Sequence, residues 1–229
     1  MASNLLTGLK TTVYLFGSFD LWKWLVRSKT DMGHSWRVFS IVLQSTQEIM
    51  GTISEPHPVK MIAALLSADM GAMSRARDEL IRLFGTIDSE SVLYPFTFSS
   101  YYDHEMGEYL HKQFISFETL VDPATIAAAK CNTNILEQTL RKAVQGADGS
   151  LSGRIVNIDP GYLNDAKLVL ATTKDFSHRI YLGQGIYAEI TLEYRKGGYR
   201  SHPWTYPDYQ TDLAMSYFES VRNLYMEQR

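Results

Sequence analysis

The run Val59–Leu66 constrains the fold more than any other feature of this sequence. Its residues, VKMIAALL, are nearly all apolar and do not alternate with polar ones. A run of strand length without alternation is typical of a strand that is covered on both faces. The sequence therefore predicts a central strand with structure packed on both sides of its sheet.

Two helices are indicated by apolar spacing and by the residues at their ends. Apolar side chains recur three and four residues apart over Gly71–Phe84, and Gly85 follows where helices commonly end in the left-handed conformation. A longer helix is predicted from Asp122-Pro123 to about Ala143, because aspartate is a favoured N-cap and proline is tolerated in the first turn.

Strand patterns surround these helices. Val92–Phe98 resembles an edge or bulged strand around Pro95, Gln113–Leu120 alternates, and Arg154–Ile158 returns as a strand. The order strand, helix, strand, strand, helix, strand is that of the ferredoxin-like split arrangement, an antiparallel sheet with helices on one face. We therefore predict an α+β fold of this type, elaborated by a C-terminal hairpin and helix.

The C-terminal region contains one ambiguous segment and one well-determined hairpin. Asn164 or Asp165 can cap a short helix, whereas Leu168–Leu170 equally suits a buried strand. The hairpin is predicted around Gly183-Gln184-Gly185, and a shift of one residue would mix its two faces. Its predicted pairs are Leu182 with Ile186, Ile180 with Ala188, His178 with Ile190, Tyr181 with Tyr187, and Arg179 with Glu189.

The first fifty residues differ in composition from the rest. They hold three of the four tryptophans, and their charge of +2 leaves −5 for the remainder of a chain whose net charge is −3. We expect residues 1–50 to be an N-terminal extension, either poorly ordered or the product of a mis-assigned start with translation beginning at Met50. An amphipathic surface segment over Phe19–Arg27 is the alternative. Residues 58–229 are expected to form a single α+β domain.

Composition and motifs exclude several classes of function. The net charge gives no global positive field for nucleic acid, and no apolar run approaches the roughly 18 residues of a membrane span. Cys131 is the only cysteine, which excludes an intrachain disulfide and fits a reducing cytoplasm. The sequence lacks a P-loop, a Rossmann fingerprint, a nucleophile elbow and an H-E-x-x-H motif. No metal or cofactor is assigned, and the sequence does not decide whether the protein is an enzyme.

Several segments together resemble one protein family. They are Asn157–Leu163 (NIDPGYL), Lys167–Asp175 (KLVLATTKD), His178–Gly183 (HRIYLG) and Pro203–Tyr209 (PWTYPDY). These look like the bacterial family known as domain of unknown function 4416, over roughly Pro58 to the C-terminus. The resemblance implies a bacterial source and little about activity, because that family has no settled biochemical role.

Polar side chains are dense between Asn157 and Glu189, which is the strongest indication of a site. A strand end, a Pro160-Gly161 turn and a hairpin entry would gather them around one pocket, where Lys174 and Arg179 supply charge for an anion. Asp159 or His178 would serve as proton carriers there. The candidate ligand-binding residues are Asn157, Asp159, Tyr162, Lys167, Thr173, Lys174, Asp175, His178, Arg179 and Glu189.

Two functions from different classes remain open. The first is binding of a phosphorylated or nucleotide-like small anion at this cluster. The second is a non-catalytic protein-interaction or self-association module that uses an exposed sheet edge or the tyrosine-rich loops. Structural roles compete with the first function, since Arg179 and Glu189 can form a simple cross-strand ion pair and Asp159 can cap a turn.

Overall fold

The computed structural model describes residues 51–143 and 153–229. All the elements below lie in one compact unit, Glu55–Arg229. The predictions for residues 1–50 lie outside the described residues. Among the helices that are described, none combines the length and apolar character needed to cross a membrane.

The described chain consists of nine strands, four α-helices and two short 3-10 helices. The 3-10 turns are Pro123–Thr125 and Pro207–Gln210. In chain order the remaining elements are β1 Val59–Ser67, α1 Met70–Phe84, β2 Ile87–Glu90, β3 Tyr94–Pro95, α2 Asp103–Met106, β4 His111–Val121, α3 Ile126–Ala143, β5 Asn157–Leu163, β6 Lys167–Thr172, β7 Ile180–Gly183, β8 Ile186–Arg195, β9 Gly198–Ser201 and α4 Asp212–Gln228.

The nine strands form one antiparallel sheet around β1. Its order is β2-β4-β1-β5-β6-β8-β7, with β3 paired to β4 and β9 paired to β8. Every residue of β1 is buried, because α1 and α3 cover one face of the sheet while α4 covers the other. The predicted α+β class and the central, doubly covered strand are confirmed. The ferredoxin-like assignment stays a prediction.

Local signals explain where the helices begin and end. Asp69 caps α1 by accepting a hydrogen bond from the Ala72 amide, and Gly85 ends it with φ of +92°. Asp122 accepts a hydrogen bond from the Ala124 amide at the start of the 3-10 turn that leads into α3. Both predicted helices are therefore found where their caps and apolar stripes indicated.

Two strand predictions need correction, and one ambiguous segment is resolved. The strand predicted over Arg154–Ile158 is found at Asn157–Leu163. Of Val92–Phe98 only Tyr94–Pro95 pairs with β4, and the strand Ile87–Glu90 was not predicted. The ambiguous segment after Asn164 is strand β6, because the Asn164 side chain accepts from the amides of Ala166 and Lys167 and closes a tight turn rather than capping a helix.

The predicted Pro160-Gly161 turn is wrong, because β5 runs straight through both residues. Proline is tolerated at position 160 because β5 pairs with β6 only from Gly161 onward. No strand on that side requires a hydrogen bond from the nitrogen of Pro160. At Gly161 a Cβ would collide with the Val169 carbonyl oxygen and come within 2.7 Å of Leu170 Cδ2. The glycine thus allows β6 to approach β5 closely.

The hairpin is largely as expected. Ile180 pairs with Ala188 and Tyr181 with Tyr187, as predicted. A register shift then places Gly183, not Leu182, opposite Ile186. The predicted pairing of His178 with Ile190 does not form within the hairpin, because β7 begins only at Ile180.

Candidate functional site

The sheet is split beside the first half of β5, and helix α3 fills the split. Residues 157–160 of β5 pair with β1 but not with β6, so the outward N–H and C=O groups of Ile158 need other partners. Glu137 accepts from the Ile158 amide at 2.7 Å, and Lys130 Nζ donates to the Ile158 carbonyl at 2.8 Å. Two side chains of α3 thereby replace the hydrogen bonds of a neighbouring strand.

Asp159 lies at this split with its carboxylate partly open to solvent. Lys130 Nζ donates to Oδ1 at 3.1 Å, and Asn157 Nδ2 donates to Oδ2 at 2.7 Å. Burial alone would raise the pKa of Asp159, but the charges of Lys130 and Lys112 hold it below its ordinary value. The side chain is 32% exposed, whereas that of Lys130 is only 6% exposed. The site therefore presents to solvent an ionised carboxylate that the side chains of Lys130 and Asn157 hold in place.

Arg154 connects this carboxylate to two other acidic side chains. Its NH1 group donates to Glu137 at 3.3 Å and to the Asn157 side chain at 2.6 Å. Its NH2 group donates to Glu105 at 3.0 Å. Burial raises the pKa of Glu137, against the opposing charges of Lys130 and Arg154. We call the group Lys112, Lys130, Glu137, Arg154, Asn157 and Asp159 the Asp159 cluster.

Lys112 supplies the second buried positive charge of the Asp159 cluster. It is bonded to the buried Asp208, and its ammonium lies 4.7 Å from the ring centre of Tyr209 and 5.4 Å from that of Phe114. Ring faces attract cations, so this aromatic setting stabilises a charge that would otherwise be costly to bury. Lys112 is thus a fixed source of positive potential near Asp159.

A second polar group forms around Glu189. Its Oε2 atom accepts from Arg179 Nε at 2.7 Å and contacts His178 Nε2 at 3.0 Å. Arg179 also donates to the hydroxyl of Tyr206 at 2.9 Å and to the carbonyl of Lys174. The His178 ring stacks on Trp204 at 4.9 Å. We call His178, Arg179, Glu189 and Tyr206 the Glu189 cluster.

Tyrosines connect the two clusters. Burial, and then the Glu189 charge, raises the pKa of Tyr206 to about 12, and the charge of Asp159 also acts on this phenol. Tyr102, whose pKa is raised first by burial and then by Asp159, packs edge-on against Tyr101 at 5.0 Å. The Tyr101 hydroxyl accepts from Lys174 Nζ at 3.0 Å. A series of contacts thus runs from Arg154 across the rings of Tyr102 and Tyr101 to Lys174. We call these residues and the two clusters the polar surface.

The residues of this surface lie within a segment that matches a family model. The model is described as a domain of unknown function, DUF4416, and it matches residues 57–225. The chain belongs to this family. The match confirms the resemblance of the NIDPGYL and HRIYLG segments, while a bacterial source remains a prediction. No curated protein and no solved structure matches the chain.

The DUF4416 domain brings together some of the predicted site residues and separates others. Asn157 and Asp159 lie in the Asp159 cluster, His178, Arg179 and Glu189 lie in the Glu189 cluster, and Lys174 joins them through Tyr101. Arg179 and Glu189 form the expected ion pair. Thr173 and Asp175 are exposed on the loop after β6, and their side chains have no hydrogen bond among the described residues.

Tyr162 and Lys167 lie elsewhere in the DUF4416 domain. Tyr162 packs on the α1 and α3 face, because side chains alternate along β5 and Asp159 points to the other face. Lys167 begins β6 at the far end of the sheet. Both line a separate cavity of about 240 Å³ that also includes Asn164 and Arg229. These two residues are therefore not part of the polar surface.

Several residues of the site were missed by the sequence analysis. They are Lys112, Lys130, Glu137 and Arg154. A signal existed for two of them, since Lys130 and Glu137 continue the buried spacing of Ile126, Thr133 and Leu140 along α3. Charged residues inside an otherwise buried helical stripe indicate buried polar partners.

The described residues contain no group of three or more acidic, histidine or cysteine side chains arranged to hold a metal ion. Cys131 is half-buried on α3, and its thiol contacts the Gln184 side chain at 3.5 Å. The polar surface of the DUF4416 domain is composed of lysine, arginine, tyrosine and carboxylate groups. Such groups bind ligands by charge and hydrogen bonding.

Proposed function

We propose that the surface formed by the Asp159 and Glu189 clusters binds a small phosphorylated or nucleotide-like anion. The observation that supports this most is convergence. Lys112 on β4, Lys130 on α3, Asp159 on β5 and Glu189 on β8 all contribute to the two clusters at one end of the sheet. Four elements that are distant in sequence thus supply charged groups to one surface, which is the usual construction of a small-molecule site.

The chemistry of the surface suits a ligand of mixed character. Cations attract phosphate, carboxylates accept hydroxyl or amide donors, and exposed tyrosine rings provide flat surfaces for a base or a sugar. The surface has five cations, which are Lys112, Lys130, Arg154, Lys174 and Arg179. Nearby carboxylates such as Asp159, Glu137, Glu189 and Asp208 balance their positive charge. This balance favours a compact ligand over a nucleic acid polymer, which requires an extended positive surface.

The proposed site does not use the backbone loops of common nucleotide-binding folds. P-loop and Rossmann proteins hold phosphates with amides at a helix N-terminus, and the sequence has neither motif. Here side chains would make the contacts. With one cysteine in the chain, we place this function in a reducing compartment, the bacterial cytoplasm.

Thermal-shift measurements against sugar phosphates and nucleotides test this proposal. We expect at least one such compound to raise the melting temperature of the protein, and Lys174→Ala to remove that increase without lowering the melting temperature of the free protein. Lys167→Ala is the matched control, because this lysine lies away from the polar surface, at the separate cavity that Tyr162 also lines. Loss of the increase in the Lys167 variant alone would refute the proposed location.

A second candidate function, self-association, is favoured by strand β7. This edge strand pairs with β8 on one side only, and it exposes Ile180 (70%), Tyr181 (59%) and Leu182 (42%). Exposed apolar edge strands are ready templates for pairing with another chain.

Sedimentation of the wild type and of an Ile180→Lys variant tests self-association. We expect a wild-type dimer that the substitution converts to a monomer, while Ile135→Lys on α3, also at an exposed isoleucine, leaves the dimer intact. A monomeric wild type at high protein concentration would exclude this second function.

A further inference from the structure

We infer that the ligand is a hydroxylated phosphate monoester, such as a sugar phosphate or nucleoside phosphate, with a hydroxyl hydrogen-bonded to Asp159 and its phosphate against Lys174. This inference rests on the proposed function and specifies the chemistry of the ligand. Its basis is that the Asp159 carboxylate is partly exposed and that Lys174 has no carboxylate partner among the described residues.

Asp159 retains capacity for a hydrogen-bond donor. An ionised carboxylate has about four acceptor positions, and each oxygen of Asp159 receives only one described donor, from Lys130 or from Asn157. About a third of the side chain is exposed. Because Lys130 and Asn157 hold the carboxylate from the buried side, its remaining acceptor positions face the surface and are available to a hydroxyl group.

The surroundings of Asp159 also determine what it does not bind. The Lys130 ammonium lies 3.1 Å from Oδ1, and Lys112 adds a second nearby positive charge. These charges oppose a divalent cation at this carboxylate. The carboxylate itself repels a phosphate. A neutral donor such as a sugar hydroxyl is repelled neither by the lysines nor by the carboxylate. Because the carboxylate repels a phosphate, the phosphate of the ligand has to lie elsewhere on the surface.

We assign that phosphate to Lys174, which has no carboxylate partner among the described residues. The other four cations of the surface already have carboxylate partners, in the pairs Lys112 with Asp208, Lys130 with Asp159, Arg154 with Glu137 and Glu105, and Arg179 with Glu189. Among the described side chains, Lys174 instead donates to a phenol, that of Tyr101. A phosphate can join this pair without breaking a buried ion pair.

Calorimetric titration with ribose 5-phosphate and with methyl phosphate tests the inference. Both probes carry a phosphate monoester, but only the first carries sugar hydroxyls. The wild type should bind ribose 5-phosphate at least about tenfold more tightly, as expected for a hydrogen bond to a charged group. Equal affinities in the wild type would overturn the inference while leaving phosphate binding intact, and this comparison does not depend on how any variant folds.

Two variants assign the ends of the ligand. Asp159→Asn should reduce the affinity for ribose 5-phosphate about tenfold and leave that for methyl phosphate unchanged. Lys174→Met should weaken both probes. An Asp159→Asn variant that binds ribose 5-phosphate as tightly as the wild type overturns the inference. Failure of the wild type to bind either probe overturns both this inference and the proposed phosphate site.

Discussion

Replacement of Lys130 by methionine provides the most direct test of how α3 supports the sheet. The lysine ammonium donates to the Ile158 carbonyl at 2.8 Å and to Asp159 at 3.1 Å. Methionine keeps most of the side-chain volume, so packing changes little. The substitution therefore isolates the loss of two polar contacts at the split in the sheet.

The size of the effect follows from the burial of each partner. Ile158 is buried and no strand pairs with it on this side, so its carbonyl is left without a partner, at about 1–3 kcal/mol. The Asp159 carboxylate is a third exposed, and screening by water limits the lost ion pair to about 1 kcal/mol. Together the free energy of unfolding should fall by about 2–4 kcal/mol.

Urea unfolding over a range of pH measures both contributions. Because the folded pKa of Asp159 is depressed, its stabilising effect is fully present above the unfolded value of about 3.9 and is lost as the pH falls through the lower folded value. In the wild type the Lys130 charge supports this depression. The difference between wild type and Lys130→Met should therefore be largest near neutral pH and should narrow below about pH 4.

A loss smaller than about 1 kcal/mol at neutral pH would refute the reasoning, because it would mean that Ile158 finds another partner. A difference that stays constant with pH would show that the Asp159 pair contributes nothing. Lys60→Met tests whether losing a buried lysine by itself affects ligand binding. This fully buried lysine donates to Asp88 and to the Phe117 carbonyl near the start of β1, so its loss should lower stability without affecting the binding of ribose 5-phosphate.

Two further predictions concern single positions. Gly161→Ala should lower the free energy of unfolding, measured in urea, by about 1–3 kcal/mol, because the added methyl group meets the Val169 carbonyl. Gly198→Ala is the control, since no atom lies near its added methyl group, and it should change the free energy by less than about 0.5 kcal/mol. Equal effects of the two substitutions would contradict this account. Burial raises the folded pKa of Glu137, so its contribution to stability is present below about pH 4.3 and declines as the pH rises through the folded value. The stability of Glu137→Gln relative to the wild type should therefore increase from about pH 4 to pH 7, and a constant difference would argue against a raised pKa.

Much of the fold could be predicted because its signals are local. The stripe over Gly71–Phe84, the glycine after it and the Asp122-Pro123 start each depend on residues within a few positions of one another. The Ile180–Ala188 pairing was predictable for the same reason, since a short loop fixes the register. Such features need no knowledge of the rest of the chain.

The parts that could not be predicted depend on distant contacts. Pro160-Gly161 is a common turn sequence, and only the absence of β6 beside Pro160 and its close approach at Gly161 make a strand possible there. The Asp159 cluster depends on the same split in the sheet, where Lys130 and Glu137 bind Ile158. The buried stripe of α3 indicates that Lys130 and Glu137 have polar partners, but it does not identify Ile158, which lies 28 and 21 residues away.

The contacts of Ile158 have a consequence for which changes of length the chain tolerates. Its carbonyl and amide are bound by two side chains that stand seven positions apart on α3. One residue inserted between those positions would rotate one of them by about 100° around the helix axis, away from the strand. The interval 131–136 should therefore be closed to insertions and deletions.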